Sequence, residues 1–95
     1  MLSREEFIFT IGYDGPSALV DGQAKRQYSS LSTGDLAKKG FFRAAYSSAI
    51  WSNDPKELET VAETYNKTTG ASVTVEALQR LFGVYPVEVK KAVIL

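Results

Sequence analysis

Apolar residues at every second position predict the first strand of this chain. The alternation runs from Phe7 to Tyr13 and gives one face four large side chains, which we expect to pack inward. A turn cluster over residues 14–16 leads to a second short strand over residues 18–20. A two-residue Asp-Gly loop would put Pro16 into the strand pairing, where proline has no amide to donate, so we expect a longer loop.

The pattern changes to helical spacing after the second strand. Ser32 has an acidic residue three positions later, the spacing of a capping box, and predicts a helix over residues 33–39. Two lysines followed by Gly40 predict the end of that helix, because cations favour the negative end of the helix dipole and glycine takes the left-handed conformation. A second helix is predicted over about residues 41–51.

Two more helices follow, each with a recognisable start. Asp54 can accept a hydrogen bond from free amides and Pro55 suits the first helical position, so a helix begins here and ends at Gly70. Its apolar side chains recur with the spacing of one buried stripe. They are Leu58, Val61, Ala62 and Tyr65. Thr74 predicts the start of a last helix, which Gly83 ends.

The C-terminal residues 87–95 read as a strand that is apolar on both faces towards its end. Such a strand favours a central place in a sheet, and we expect it to pair with the strand at residues 5–13. The predicted fold is therefore α+β, with a small, mostly antiparallel sheet packed against three to four helices. The sheet combines the N-terminal hairpin with the C-terminal strand. We expect residues 1–95 to form a single globular domain with one core.

The absence of histidine and cysteine changes the functional picture most. The chain has none of the side chains that titrate near neutral pH, act as thiol nucleophiles or bind zinc and iron in their usual sites. We therefore expect no enzyme, no cofactor and no metal, although a carboxylate site for magnesium or calcium, serving a hydrolase, stays open. The aspartates that such a site would use occupy turn or cap positions, which favours a structural role. They are Asp14, Asp21, Asp35 and Asp54.

The first residues carry two acids and no long apolar stretch, so we expect neither a signal peptide nor a membrane partner, and we place the protein in the cytoplasm by default.

The 11 basic and 11 acidic residues give zero net charge, which argues against a dedicated polyanion binder. Even so, residues 23–43 hold five basic residues and one acid. The alternative function is therefore nucleic-acid binding through this basic segment, whose first part we treat as a loop. Its candidate contacts are Lys25, Arg26, Tyr28, Lys38, Lys39 and Arg43.

The leading hypothesis is a small binding or regulatory module that acts through protein–protein contacts, including self-association. Trp51 is the only tryptophan, and tryptophan is common among the residues that dominate interfaces. Small residues between Ala44 and Ala49 would permit close helix approach, either inside the domain or across a homodimer. The candidate protein interface therefore comprises Trp51, Tyr46 and Ser47.

Overall fold

A computed structural model describes residues 3–82, 89 and 91–95 of the chain. These residues form six helices and three strands, so the α+β class is confirmed, with more helices than the expected three to four. The chain divides into two compact units. The sheet unit lies within Met1–Ser30 and Val87–Leu95, and the helical unit lies within Leu31–Pro86. The expectation of a single domain stays a prediction.

The predicted strand over residues 7–13 is wrong in its first half. Helix α1 spans Arg4–Ile8 and β1 spans Thr10–Asp14. A capping box starts the helix: the amide of Glu6 donates to the Ser3 hydroxyl, and the amide of Ser3 donates to the Glu6 carboxylate. The reciprocal bonds satisfy two amides that a helix start leaves open, so the helix forms where the apolar alternation predicts a strand.

The hairpin between β1 and β2 is tighter than expected. Strand β2 spans Ser17–Val20, and Asp14 pairs with Ser17, so the loop contains only Gly15 and Pro16. The positive φ of Gly15, 58°, followed by the fixed negative φ of proline, has the signs of a type II′ turn. Because the loop starts one residue later than an Asp-Gly turn would, Pro16 stays out of the ladder and needs no donor.

The sheet has the order β1-β2-β3, with β3 at Lys91–Ile94. The C-terminal strand pairs in parallel with β2 instead of with the N-terminal strand, so the prediction of a central C-terminal strand in a mostly antiparallel sheet is wrong. The central strand is β2, whose Ala18 and Val20 are fully buried. The predicted strand residues 87, 88 and 90 lie outside the described residues.

Helix α2, Gly22–Tyr28, follows the central strand over residues that the sequence pattern leaves ambiguous and that we treat as a loop. The Asp21 carboxylate accepts the amide of Ala24 and so caps the helix. Gly22 is buried against the end of the sheet. A Cβ atom at this position would lie 2.7 Å from both Ile94 Cγ2 and the main-chain oxygen of Leu95, so the chain requires a residue without a side chain here.

The helical unit contains the four helices that the sequence predicts. They are α3 Thr33–Lys38, α4 Phe42–Ser52, α5 Pro55–Thr69 and α6 Val75–Phe82. The side chains of Ser32, Asp54 and Thr74 accept amides in the first turns of α3, α5 and α6, as expected. Gly40 and Gly70 follow helix ends with positive φ, whereas the predicted stop at Gly83 lies outside the described residues.

Helix α4 packs against α3, α5 and α6. One side of this core is aromatic, with ring centroids 5.1 Å apart for Phe42 and Tyr65 and 5.6 Å apart for Tyr46 and Phe82. Edge and tilted ring contacts of this kind stabilise a core beyond the area that they bury.

The helical unit also contains a polar cluster. The buried Thr33 hydroxyl lies 2.7 Å from Ser48 Oγ and also donates to the Glu57 carboxylate. Since a hydroxyl has a single proton and Thr33 donates it to Glu57, Ser48 is the donor to Thr33. One hydrogen-bonded chain therefore joins α4, α3 and α5.

Candidate interaction surfaces

The predicted protein interface on α4 is divided between surface and core. Trp51 is 39% exposed, whereas Tyr46 and Ser47 are each 2% exposed. Tyr46 stacks with Phe82, and the Ser47 hydroxyl donates to the carbonyl of Arg43 at 2.9 Å. Helix α4 packs against three neighbouring helices, and its buried residues run from Ala45 to Ala49, which includes both Tyr46 and Ser47. Of the three candidates, Trp51 alone reaches the surface.

The small residues of α4 serve the inside of the helical unit. Ala45, Ser48 and Ala49 are buried, which matches the first of the two roles that the sequence left open for them. Small side chains let the helix axes approach closely, so the run is used in packing α4 against its neighbours.

A different apolar surface lies on β1. Ile11 is 59% exposed and Tyr13 is 46% exposed, although the alternation predicts that both face inward. Among the described residues, β1 has a strand neighbour on one side only, so it is an edge strand. A register shift between Thr10 and Gly12 makes Ile11 the extra residue of a bulge. Bulges redirect side chains. This bulge lies where β1 changes from the buried Thr10 to the exposed Ile11 and Tyr13.

The basic segment is divided between the two units. Three of its candidates lie on helix α2 of the sheet unit: Lys25, Arg26 and Tyr28. The other three, Lys38, Lys39 and Arg43, lie in the helical unit where α3 leads into α4. Each group is therefore a separate candidate.

The turn from α3 into α4 has a defined geometry. The amide of Gly40 donates to the carbonyl of Ala37 at 3.0 Å, and the amide of Phe41 donates to the carbonyl of Leu36 at 3.0 Å. Together with the φ of 86° at Gly40, these bonds form a Schellman motif. We call residues 38–43 the basic corner. Its three cationic side chains are exposed and Phe41 is 37% exposed.

Glu6, a titratable group with a shifted pKa, has a structural role at the start of α1. The hydrogen bond from the Ser3 amide lowers the pKa of Glu6, against a smaller opposing effect of burial. The charge of Lys25 contributes in the same direction to a lesser degree. Within the described part of the chain, no three acidic side chains come together as a metal site would require.

Comparison of the chain with protein-family models, curated proteins and solved structures gave no significant match. None of the helices in the described residues combines the length and apolar character that crossing a bilayer requires. Among the described residues, the β1 edge combines exposed apolar side chains with a strand side that has no neighbouring strand, and the basic corner combines exposed cations with an exposed aromatic residue.

Proposed function

We propose that this protein is a non-enzymatic binding module that acts through protein–protein contacts, with a second copy of the chain as its partner at strand β1. The observation that carries the proposal is the exposed pair Ile11 and Tyr13 on an edge strand. An edge strand offers main-chain donors and acceptors to another strand, and apolar side chains beside them favour pairing. Proteins commonly protect such edges with charges, and β1 has only one, Asp14.

Charge favours a second copy as the partner. The formal net charge is zero, so two copies approach each other without net repulsion. If two β1 strands pair antiparallel about Gly12, Asp14 lies opposite Thr10 and no like charges meet. The bulge limits regular main-chain pairing, so the apolar side chains must supply much of the binding free energy. We expect association of about micromolar strength or weaker.

Sedimentation equilibrium of the purified chain, over about 1 µM to 1 mM, tests the proposal. The decisive variant changes both Ile11→Thr and Tyr13→Thr, because threonine keeps the preference for a strand and removes most of the apolar surface. The matched control is Trp51→Gln, which removes an exposed aromatic side chain from the helical unit.

We expect the wild-type chain and the Trp51→Gln control to associate alike, and the β1 double variant to stay monomeric over the whole range. A wild-type chain that is strictly monomeric would refute self-association. Association that survives the β1 substitutions but is lost with Trp51→Gln would refute β1 as the site and point to the end of α4. Far-UV circular dichroism of each variant checks that the fold is retained.

A further inference from the structure

We propose that the basic corner, residues 38–43, binds single-stranded nucleic acid, with Phe41 stacking on a base and the cations contacting phosphates. The inference does not depend on the proposed pairing through β1. It rests on three observations in the helical unit: the charge of the corner, the position of its aromatic ring and the fixed geometry of its backbone.

The corner lies in the longest acid-free stretch of the chain. Residues 36–53 include three basic residues and no aspartate or glutamate. Lys38 and Lys39 are exposed, and neither forms an ion pair with any described residue. Even Asp35, one helical turn away, does not pair with them. Their charges therefore stay available to a ligand, and phosphate groups are the ligands that clustered lysine and arginine side chains attract.

The cations of α2 make a weaker candidate for the same role. Lys25 is half-buried, and its charge already acts on Glu6, whose pKa it helps to lower. The aromatic residue of that group, Tyr28, is also half-buried, so the helix shows no exposed ring beside its cations. The basic corner has both features.

Phe41 gives the corner a surface that favours an unpaired base. The residue is 37% exposed, so part of its surface can be reached by a ligand. It stands directly between the lysines and Arg43 in the chain. Single-strand binding proteins combine these elements, because every base can stack on an aromatic ring while cations follow the backbone. Duplex bases are already stacked on each other, so the ring selects a single strand.

The Schellman motif holds these groups in place before any ligand arrives. The amides of Gly40 and Phe41 are both bonded to carbonyls of α3, so the main chain that carries Phe41 is fixed. Binding then costs less conformational entropy than ordering a free loop would, which lets a small site reach measurable affinity.

Three phosphate contacts would give the binding a recognisable salt dependence. For a single strand the slope of log K against log salt is about −0.7 per contact, hence about −2 for the whole corner. Raising NaCl from about 50 to about 200 mM should therefore weaken binding by roughly 20-fold.

Fluorescence anisotropy with a labelled oligothymidylate of about 15 nucleotides measures this binding on the full chain. The charge variant combines Lys38→Gln and Lys39→Gln. Its matched control combines Lys56→Gln and Lys67→Gln, which removes two exposed lysines from α5 and changes the net charge equally. The aromatic variant is Phe41→Leu, which keeps an apolar side chain after the motif but cannot stack on a base.

We expect the charge variant to reduce the salt slope by about 1.4 and the control to leave it nearly unchanged. Phe41→Leu should weaken binding about fivefold or more without changing the slope. Arg43→Gln gives a second reading if Phe41→Leu does not fold, with a slope smaller by about 0.7.

Absence of binding at about 50 mM NaCl would overturn the proposal. Equal losses in the charge variant and its α5 control would overturn it too, since they would show binding to charge anywhere on the chain. A competition experiment adds vesicles of phosphatidylserine and phosphatidylcholine to the bound oligonucleotide. If the vesicles displace the oligonucleotide fully and the Phe41→Leu variant still binds the oligonucleotide normally, the ligand is an anionic membrane surface and the nucleic-acid assignment is refuted.

Discussion

The substitution Gly22→Ala tests how tightly the start of α2 packs against the C-terminal residues Ile94 and Leu95. Gly22 begins α2 and is buried against Ile94, the last residue of β3, and Leu95. It is not among the glycines with positive φ, so its backbone would accept alanine, and the obstacle is steric. An added Cβ would lie 2.7 Å from the main-chain oxygen of Leu95 and 2.7 Å from Ile94 Cγ2. Neither atom is the end of a flexible side chain.

Two effects of opposite sign decide the outcome. Alanine is favoured over glycine within a helix by up to about 1 kcal/mol. Forcing an extra methyl group into a packed site costs about 1–3 kcal/mol. Because two contacts at 2.7 Å must both be relieved, one of them with main chain, we place the cost in the upper part of that range. The expected net loss in the free energy of unfolding is about 1–2 kcal/mol.

Urea unfolding followed by far-UV circular dichroism measures this loss, with Gly34→Ala as the matched control. Gly34 is also in the first turn of a helix, but the nearest atom to an added Cβ is Ser32 Oγ at 4.0 Å, so the control should be neutral or slightly stabilising. Amide exchange at Leu95, whose amide donates to Val20 at 2.9 Å, reports whether the chain end is displaced. Gly22→Ala that matches the control in stability, with Leu95 equally protected, would refute the reasoning.

Two further predictions concern hydrogen bonds. Thr33→Val should lower the free energy of unfolding by about 1–3 kcal/mol, because it removes the hydroxyl that bonds to both Ser48 and Glu57. Thr60→Val on the exposed face of α5 should change it by less than about 0.5 kcal/mol, and thermal unfolding of both variants tests this. The Ser3 amide lowers the pKa of Glu6 in the folded chain relative to the unfolded chain. The ionised Glu6 carboxylate therefore stabilises the fold at pH values above the pKa that Glu6 has in the unfolded chain. This stabilisation is lost as the pH falls through the lower pKa that Glu6 has in the folded chain. The variant Glu6→Gln keeps a residue that suits the capping box but does not titrate. Urea unfolding between about pH 6 and pH 3 should show that its free energy of unfolding falls less than that of the wild type. An equal fall in both proteins would contradict this role of Glu6.

The helical unit is the part of the fold that local signals predict. Ser32 and Asp54 accept amides in the first turns of their helices, and Gly40 and Gly70 end helices with positive φ. Each of these signals acts within about four residues of the chain, so it operates in any context that lets the helix form. The prediction therefore does not require knowing how the helices pack.

The sheet unit is harder to predict because its decisive contacts join distant segments. Strand β3 pairs in parallel with β2, although most of the chain separates them, and no local pattern distinguishes this partner from β1. At the N-terminus two local signals compete, the apolar alternation and the Ser3–Glu6 capping box. The capping box prevails because its bonds satisfy specific amides, whereas alternation only describes which side chains share a face.

Exposure along α4 shows why residue type alone identifies part of a binding surface and misses the rest. Tyr46 and Trp51 are both large aromatic residues five positions apart, yet one lies in the core and the other at the surface. The buried residues of α4 run from Ala45 to Ala49, and Trp51 lies beyond them near the end of the helix. Phe41 precedes the opposite end and is 37% exposed. Among the described residues of this unit, the exposed aromatic residues are Phe41 and Trp51. Of these two, Phe41 has Lys38, Lys39 and Arg43 close to it in the chain, so we expect a ligand that uses both a ring and cations to bind there.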